Sequence, residues 1–242
     1  MPNVITTCEK CGCRYEYFFD GLTYLPCPKC GFDPIGDLER AGTIDLIKQL
    51  HDSNMSTRNN AAVMLGERHV QEAVEPLLAM LREEGAGVEP GVIIALGHLR
   101  EKRAVDNLVS ILYQGKNWRT ERARLMDGPG RVIDALVQIG TDEALEAVLA
   151  TDALDFSINT IRELSRFKCE KVAAALAKVA LEIGDDDCWY GWEKVVVAVE
   201  SLGEVGGELA ISALKGKLDS SRKQIALAAR KSLDKIGAGA CP

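Results

Sequence analysis

Four cysteines near the start of the chain have the spacing of a metal-binding site. Cys8 and Cys11 form one Cys-x-x-Cys pair, Cys27 and Cys30 form a second, and fifteen residues separate the two pairs. Two such pairs on tight turns can present four thiolates in the tetrahedral arrangement that Zn²⁺ prefers. Because four thiolates leave no open coordination position, we expect a structural zinc ion and no metal catalysis.

The residues around the pairs predict the turns and strands that would position the thiolates. Gly12 and Gly31 follow the pairs, and glycine readily adopts the left-handed backbone needed where the chain turns back toward a metal-bound sulfur. Residues 14–19 are rich in strand-forming aromatics, and an Asp-Gly turn connects them to a second run at 22–25. This pattern is typical of a β-hairpin.

Two metal-binding turns joined by a β-hairpin resemble a zinc ribbon, and we assign residues 1–33 to this domain. The alternative is a pair of disulfides. No hydrophobic segment of signal-peptide type follows Met1, so we expect a reducing, cytoplasmic location in which the thiols stay available for metal. Cys13 is interpreted as a spare thiol.

Composition excludes several functional classes for this 242-residue chain. Its hydrophobic content of 47% is enough for an ordinary core, and no apolar run approaches the roughly twenty residues that span a bilayer. A net charge of -7 opposes broad binding to phosphate backbones, which depends on Lys and Arg. Neither a membrane protein nor a general nucleic-acid-binding protein is therefore expected.

A repeated pattern follows the cysteine-rich segment. The motif Leu-Gly, followed by Ala-Val-x-x-Leu, occurs at residues 65–77 and again at residues 96–108, an offset of 31. Weaker copies contain Leu136, Leu164 and Leu202. Each unit predicts a helix, a short and usually glycine-containing turn, and a second helix, and stacking of neighbouring units would bury a continuous core.

This repeated helical hairpin resembles the short HEAT repeats of bilin-lyase-like proteins over about residues 36–237. The resemblance implies a HEAT-like α-solenoid, which we assign to residues 34–242. The predicted fold is thus mainly α, with the small β-hairpin zinc ribbon at its N-terminus. An ordinary helical bundle with coincidental spacing is the alternative.

Two of the intervals between equivalent second-helix positions are long. The intervals are 31, 31, 40, 28 and 38 residues between Leu46, Leu77, Leu108, Val148, Leu176 and Leu214. The extra residues fall at 113–124 and 184–192, after second helices, so both insertions should lie on one edge of the solenoid.

All three tryptophans of the chain lie in these insertions, which makes the insertions candidates for partner binding. The candidate partner-binding residues are Trp118, Arg119, Arg122, Trp189, Tyr190 and Trp192. Two other interpretations remain open: the tryptophans could fold back over a widened groove, and the arginines of the first insertion could pair with Asp185, Asp186 and Asp187 of the second.

No catalytic constellation emerges from the sequence. HEAT-like hydroxylases bind iron through His-Glu pairs, and none of His51, His69 and His98 is followed by Glu. Cys188, in its insertion beside three aspartates, has no neighbouring positive charge that would stabilise a thiolate. We therefore expect a non-enzymatic protein.

The leading interpretation is a cytoplasmic adaptor or scaffold that binds protein partners, with the zinc ribbon as a rigid docking element. One alternative is a nucleic-acid-associated factor in which Tyr15, Tyr17, Phe18 and Tyr24 of the ribbon stack on bases. Another, implied by the bilin-lyase-like repeats, is a lyase-like or chaperone-like partner of a tetrapyrrole protein. Fold alone does not decide among these functions.

Overall fold

The computed structural model describes residues 3–7, 12–18, 29, 42–114, 128–184 and 191–239. At the N-terminus, strand β1 (Asn3–Thr7) pairs with strand β2 (Arg14–Phe18) in an antiparallel ladder that runs from Asn3 opposite Phe18 to Thr7 opposite Arg14. The sequence predicted a strand at 14–19 but not its partner at 3–7. The predicted second arm of the hairpin, residues 22–25, lies outside the described residues.

The rest of the described chain is helical. Its α-helices are α1 (Thr43–Gln49), α2 (Met55–Glu67), α3 (Val74–Glu84), α4 (Pro90–His98), α5 (Val105–Gln114), α6 (Gly128–Ile139), α7 (Asp142–Leu149), α8 (Ile158–Leu164), α9 (Glu170–Glu182), α10 (Gly191–Val205), α11 (Gly207–Gly216) and α12 (Lys223–Gly239). Short 3₁₀ turns lie between some of them, at Gln71–Ala73, Gly85–Gly87, Lys102–Ala104 and Ala153–Asp155.

These helices form two rows. Each even-numbered helix from α2 to α10 packs against the next even-numbered one, and α5, α7, α9 and α11 form a second row in the same way. The even-numbered helices are the first helices of the predicted repeats, and the odd-numbered helices are the second helices. The chain is therefore a mainly helical, solenoid-like array of helical hairpins.

The core follows the predicted repeat positions. All six equivalent second-helix residues are completely buried, and they are Leu46, Leu77, Leu108, Val148, Leu176 and Leu214. The matching first-helix leucines are also completely buried, namely Leu65, Leu96, Leu136, Leu164 and Leu202. Together they belong to one continuous apolar cluster that extends from α1 to α12. Burying this cluster is the main stabilising term of the array.

The sequence suggested that the glycines of the Leu-Gly motif lie in turns, but the structure places them inside helices. Gly66 and Gly97 are buried within α2 and α4. A Cβ atom on Gly97 would lie 2.9 Å from the Cα atom of Ala135, and one on Gly203 would lie 2.7 Å from the Cβ atom of Ser232. These glycines therefore allow successive first helices to approach backbone to backbone.

The turns that follow the first helices are formed mostly by other residues. After α2, His69 has a φ of 52°. The N–H of His69 donates to the carbonyl oxygen of Gly66 at 3.0 Å, and the N–H of Val70 donates to the carbonyl oxygen of Leu65 at 3.0 Å. Arg100 repeats this conformation after α4, with a φ of 52°. This is the Schellman arrangement, which glycine usually occupies. After α6, Gly140 has a φ of 72°.

Candidate functional site

A groove lies between α7 and α9. Its volume is about 480 Å³, and its lining residues are Glu146, Leu149, Ala150, Thr151, Ala153, Lys171, Ala174, Ala175 and Lys178. In α9 the lining residues recur at helical spacing of three and four, so they form one stripe that faces the corresponding stripe of α7. The groove exists because four of the lining residues are alanines.

Two ion pairs cross the groove from α9, one to α7 and one to the segment that follows α7. The Nζ atom of Lys171 contacts Oε1 of Glu146, and Nζ of Lys178 donates to Oδ1 of Asp152 at 3.0 Å. These hydrogen bonds to carboxylates raise the pKa of both lysines. All four side chains remain substantially exposed, so each pair contributes little to stability.

The carboxylate of Asp152 is fixed by its own backbone turn. It accepts a hydrogen bond from the Leu154 N–H at 3.1 Å, and this bond, together with Lys178, lowers the pKa of the Asp152 carboxyl. Lys178, in contrast, reaches Asp152 through a long flexible side chain. The lysine is therefore the partner that can reorient when another carboxylate enters the groove.

Of the six predicted partner-binding residues, only Trp192 lies within the described chain. Its side chain is half-buried at the start of α10, and the guanidinium of Arg222 lies over its indole ring, 5.5 Å from the ring centroid. This cation–π contact joins α10 to the residue preceding α12 and favours a packing role for this tryptophan. Trp118, Arg119, Arg122, Trp189 and Tyr190 lie outside the described residues.

Helix boundaries agree with the predicted positions of the two insertions to within two residues, since α5 includes Tyr113 and Gln114 and α10 includes Gly191 and Trp192. The first follows α5, which ends at Gln114, and the second follows α9, which ends at Glu182. Both helices belong to the second row, as predicted. The groove lies against α9, in the part of that row between the two insertions.

The four predicted zinc ligands Cys8, Cys11, Cys27 and Cys30 also lie outside the described residues. Gly12, which follows the first pair, has the left-handed backbone that the sequence predicted, with a φ of 69°. Among the residues that are described, no group of three or more His, Cys, Asp and Glu side chains could hold a metal ion.

Of the other cysteines, Cys13 and Cys169 lie within the described residues. Cys13 is half-buried, next to the start of β2. Cys169 is exposed and directly precedes the first residue of α9. Cys188 lies outside the described residues.

Sequence reasoning missed a buried ion pair between α2 and the start of α4. Only 3% of the Glu89 side chain is exposed, and its Oε1 atom accepts a hydrogen bond from Nε of Arg58 at 2.6 Å. The other carboxylate oxygen of Glu89 is buried without a hydrogen-bond partner in the described structure. A glutamate directly before Pro90 at a helix start was the available signal, but exposed glutamates are common there.

Comparison with known proteins supports the repeat assignment. Residues 44–126 match the family model described as HEAT repeats. A designed armadillo repeat protein is similar in structure, with 16% identity and a TM-score of 0.50, over 81% of this chain and 100% of that protein. No curated protein matches the chain in sequence.

Two further solved structures are similar at lower scores. The crystal structure of an engineered protein has 19% identity and a TM-score of 0.49, over 81% of this chain and 97% of that one. Human deoxyhypusine hydroxylase in complex with glycerol has 15% identity and a TM-score of 0.36, over 84% of this chain and 88% of that one.

Within the described ranges, no helix is both long enough and apolar enough to cross a membrane. The two rows of helices, the family match over residues 44–126 and the armadillo-like neighbour agree on one architecture. The chain is a mainly helical, solenoid-like repeat protein, and its residues 44–126 match the HEAT-repeat family model.

Proposed function

We propose that the protein is a non-enzymatic scaffold that binds an extended segment of a partner protein in the groove between α7 and α9. The groove itself carries the proposal, because its volume of about 480 Å³ is in the range of ligand-binding clefts and its lining is mostly apolar. Solenoid-like repeat arrays commonly present such concave surfaces to protein partners.

The spacing of the charged residues fits an extended peptide. Lys171 and Lys178 are seven residues apart in one helix, which separates them by about 10 Å along its axis. Three residues of a segment in the polyproline II conformation cover about 9 Å and complete one turn, so that side chains three residues apart lie on the same side. A segment whose carboxylates stand three residues apart could therefore reach both lysines while its intervening side chains contact the alanines.

The cost of opening the groove to such a segment is small. The ion pairs of Lys171 and Lys178 with Glu146 and Asp152 are solvent-exposed, and exposed pairs contribute about 0–1 kcal/mol each. A partner that supplies its own carboxylates would replace these pairs without leaving a buried charge.

We further propose that Cys8, Cys11, Cys27 and Cys30 hold one structural Zn²⁺ in an N-terminal zinc ribbon. The β1–β2 ladder supports this, because its last pair, Thr7 opposite Arg14, flanks the connection that contains the first two cysteines. The left-handed conformation of Gly12 is a second supporting observation. Zinc would stabilise this small module, which we infer acts as a docking element in the cytoplasm.

Selection of binding peptides tests the groove. A random-peptide phage library is selected on the wild-type protein, and the recovered peptides are measured against two tryptophan variants. Ala174→Trp fills the groove from an exposed position of α9, and Ala79→Trp makes the same change at an exposed position of α3, which is also the second helix of a repeat. We expect Ala174→Trp to abolish binding and Ala79→Trp to leave it unchanged.

Equal binding to both variants would place the selected peptides elsewhere on the surface and reject the groove as the binding site. A library that yields no specific peptide would argue against peptide binding altogether. Circular dichroism of each variant checks that the helical signal is retained.

A further inference from the structure

The C-terminal end of the array has a charge opposite to that of the whole chain. Residues 207–239 contain seven basic and three acidic residues, a net charge of +4, whereas the full chain has a net charge of -7. This segment comprises α11 and α12, the last helices of the described array. Positive charge is therefore concentrated at one end of an acidic protein.

An exposed leucine lies at the centre of the positive residues of α12. Leu227 is 54% exposed, although most other leucines in the described part of the chain are buried. Its neighbours on the helix surface include Lys223 four residues before it, and Arg230 and Lys231 three and four residues after it, and all three are exposed. We call these four residues the α12 patch.

The cations of the α12 patch are available to a partner. Among the residues that the structure describes, none of Lys223, Arg230 and Lys231 takes part in an ion pair or a side-chain hydrogen bond. Lys235, farther along the helix, is by contrast paired with Glu204 of α10. The patch thus combines one exposed apolar side chain with three cations that form no ion pair among the described residues.

The opposite face of α12 is already occupied by the array. Ile225, Ala228, Ala229 and Ser232 are buried, and Ser232 packs against Gly203 of α10. The apolar stripe of the helix therefore cannot insert into a membrane surface, as an interfacial amphipathic helix would. Three cations on a protein with a charge of -7 are also few for binding a phosphate backbone.

We propose that the α12 patch is a second docking surface, which binds an acidic segment of a partner protein. The segment would place an apolar side chain on Leu227 and carboxylates beside Lys223, Arg230 and Lys231. Complementary charge increases the association rate and selects the partner, while the contact with Leu227 is excluded from water. The proposal extends the scaffold function but does not depend on the groove between α7 and α9.

Fluorescence anisotropy with an acidic peptide tests the proposal on the full-length protein. The probe is a fluorescein-labelled peptide with the repeated sequence Glu-Glu-Leu-Glu, and a second peptide replaces each Leu by Ser. We expect the leucine peptide to bind more tightly, with an affinity that decreases as salt increases.

Variants then locate the binding surface. Leu227→Ser should weaken binding of the leucine peptide about tenfold, and the double change Arg230→Glu and Lys231→Glu should weaken it further. Lys102→Glu is the matched control, because it reverses one exposed positive charge outside α12 and should change the affinity less than about twofold. Ala174→Trp, which fills the groove, should leave this binding unchanged.

Several results would overturn the proposal. They are no binding of the leucine peptide, equal losses with Lys102→Glu and the α12 variants, or no effect of Leu227→Ser. Loss of binding with Ala174→Trp alone would assign the peptide to the groove, which would reject the α12 patch but support the function proposed for the groove. If the protein bound phosphatidylserine vesicles or single-stranded DNA more tightly than the peptide, the proposed partner would be wrong, and the patch would bind a membrane or a nucleic acid instead.

Discussion

A Cβ atom built on Gly66 would lie 2.5 Å from the Cα atom of Ala95, a distance at which the two helices would have to move apart. Glycine at this position lets α2 and α4 touch along their backbones. The same relationship joins Gly97 to Ala135 one repeat later. The Leu-Gly motif therefore combines a core leucine with a contact point between successive first helices.

Replacement of Gly66 by Ala should destabilise the array by about 1–3 kcal/mol. The added methyl group overpacks the contact with Ala95, and this cost exceeds the benefit of about 1 kcal/mol that alanine brings to a helix interior. Urea unfolding measures the difference. Gly130→Ala in α6 is the control, because nothing lies within 4 Å of the point that its methyl group would occupy, and it should not reduce stability. An unchanged stability of Gly66→Ala would show that α2 and α4 separate without cost.

Replacement of Arg100 by Gly should stabilise the protein by about 1 kcal/mol. Arg100 has a φ of 52° in the turn after α4, and this left-handed conformation costs a non-glycine residue free energy that glycine does not lose. Thermal unfolding of the variant measures the gain. Arg100→Ala removes the same side chain but keeps the unfavourable backbone conformation, so a gain with alanine as well would point to a side-chain effect instead.

Replacement of Arg58 by Met should destabilise the protein by about 3–5 kcal/mol, because it leaves the nearly buried Glu89 carboxylate without its positive partner. The double change Arg58→Met and Glu89→Leu should recover much of this loss, and urea unfolding measures both variants. Lys171→Met is the control, since its pair with Glu146 is exposed. A double variant as unstable as the single one would mean that packing of Arg58, and not its charge, stabilises this contact.

The contribution of Glu84 to the free energy of unfolding should decrease as the pH rises from acidic values toward neutral. Partial loss of hydration raises the pKa of its carboxyl, the negative charge of Glu89 raises it further, and Arg58 opposes the shift. A carboxyl with a raised folded-state pKa stabilises the fold below its ordinary value of about 4.3, and this contribution is lost as pH rises through the folded-state pKa.

Glu84→Gln removes that titration. The melting temperature of the variant minus that of the wild type should therefore increase between about pH 4 and pH 7. Glu83→Gln, the neighbouring exposed glutamate, serves as the control. A difference that stays constant with pH, or that decreases, would contradict the raised pKa of Glu84.

Replacement of Cys8 and Cys27 by Ser should release one zinc ion per chain, because each change removes a thiolate from a different Cys-x-x-Cys pair. Elemental analysis of the purified protein measures the metal, and circular dichroism should show the helical signal largely intact. Cys169→Ser changes an exposed thiol at the start of α9 and should retain the zinc. Loss of the helical signal together with the metal would contradict a ribbon that folds separately from the array.

The sequence predicted the features of the fold that depend on regular spacing. Leu77 and Leu108 are 31 residues apart and occupy the same buried position in successive repeats, because helical periodicity places such leucines on one face. The role of Gly66 was misassigned, since glycine in a sequence fits a turn as well as a close helix contact. Only the packing of α2 against α4 distinguishes the two.

The candidate site was harder to predict because it is an empty space that small side chains leave between two helices. Ala150 and Ala174 are ordinary helix residues in the sequence, and the groove between them arises from the relative positions of α7 and α9. The pairing of Trp192 with Arg222 likewise joins residues thirty positions apart, which no local pattern records. The predicted site included Trp192, which contacts Arg222, but none of the residues that line the groove.

The two rows of helices have a kinetic consequence. Each described helix packs mainly against elements that are close to it in sequence, as α2 does against α4 and α10 against α12. Chains dominated by such local contacts close short loops at little entropic cost and fold quickly. The first repeats can therefore acquire their core while the later ones are still being synthesised, without waiting for the two ends of the chain to meet.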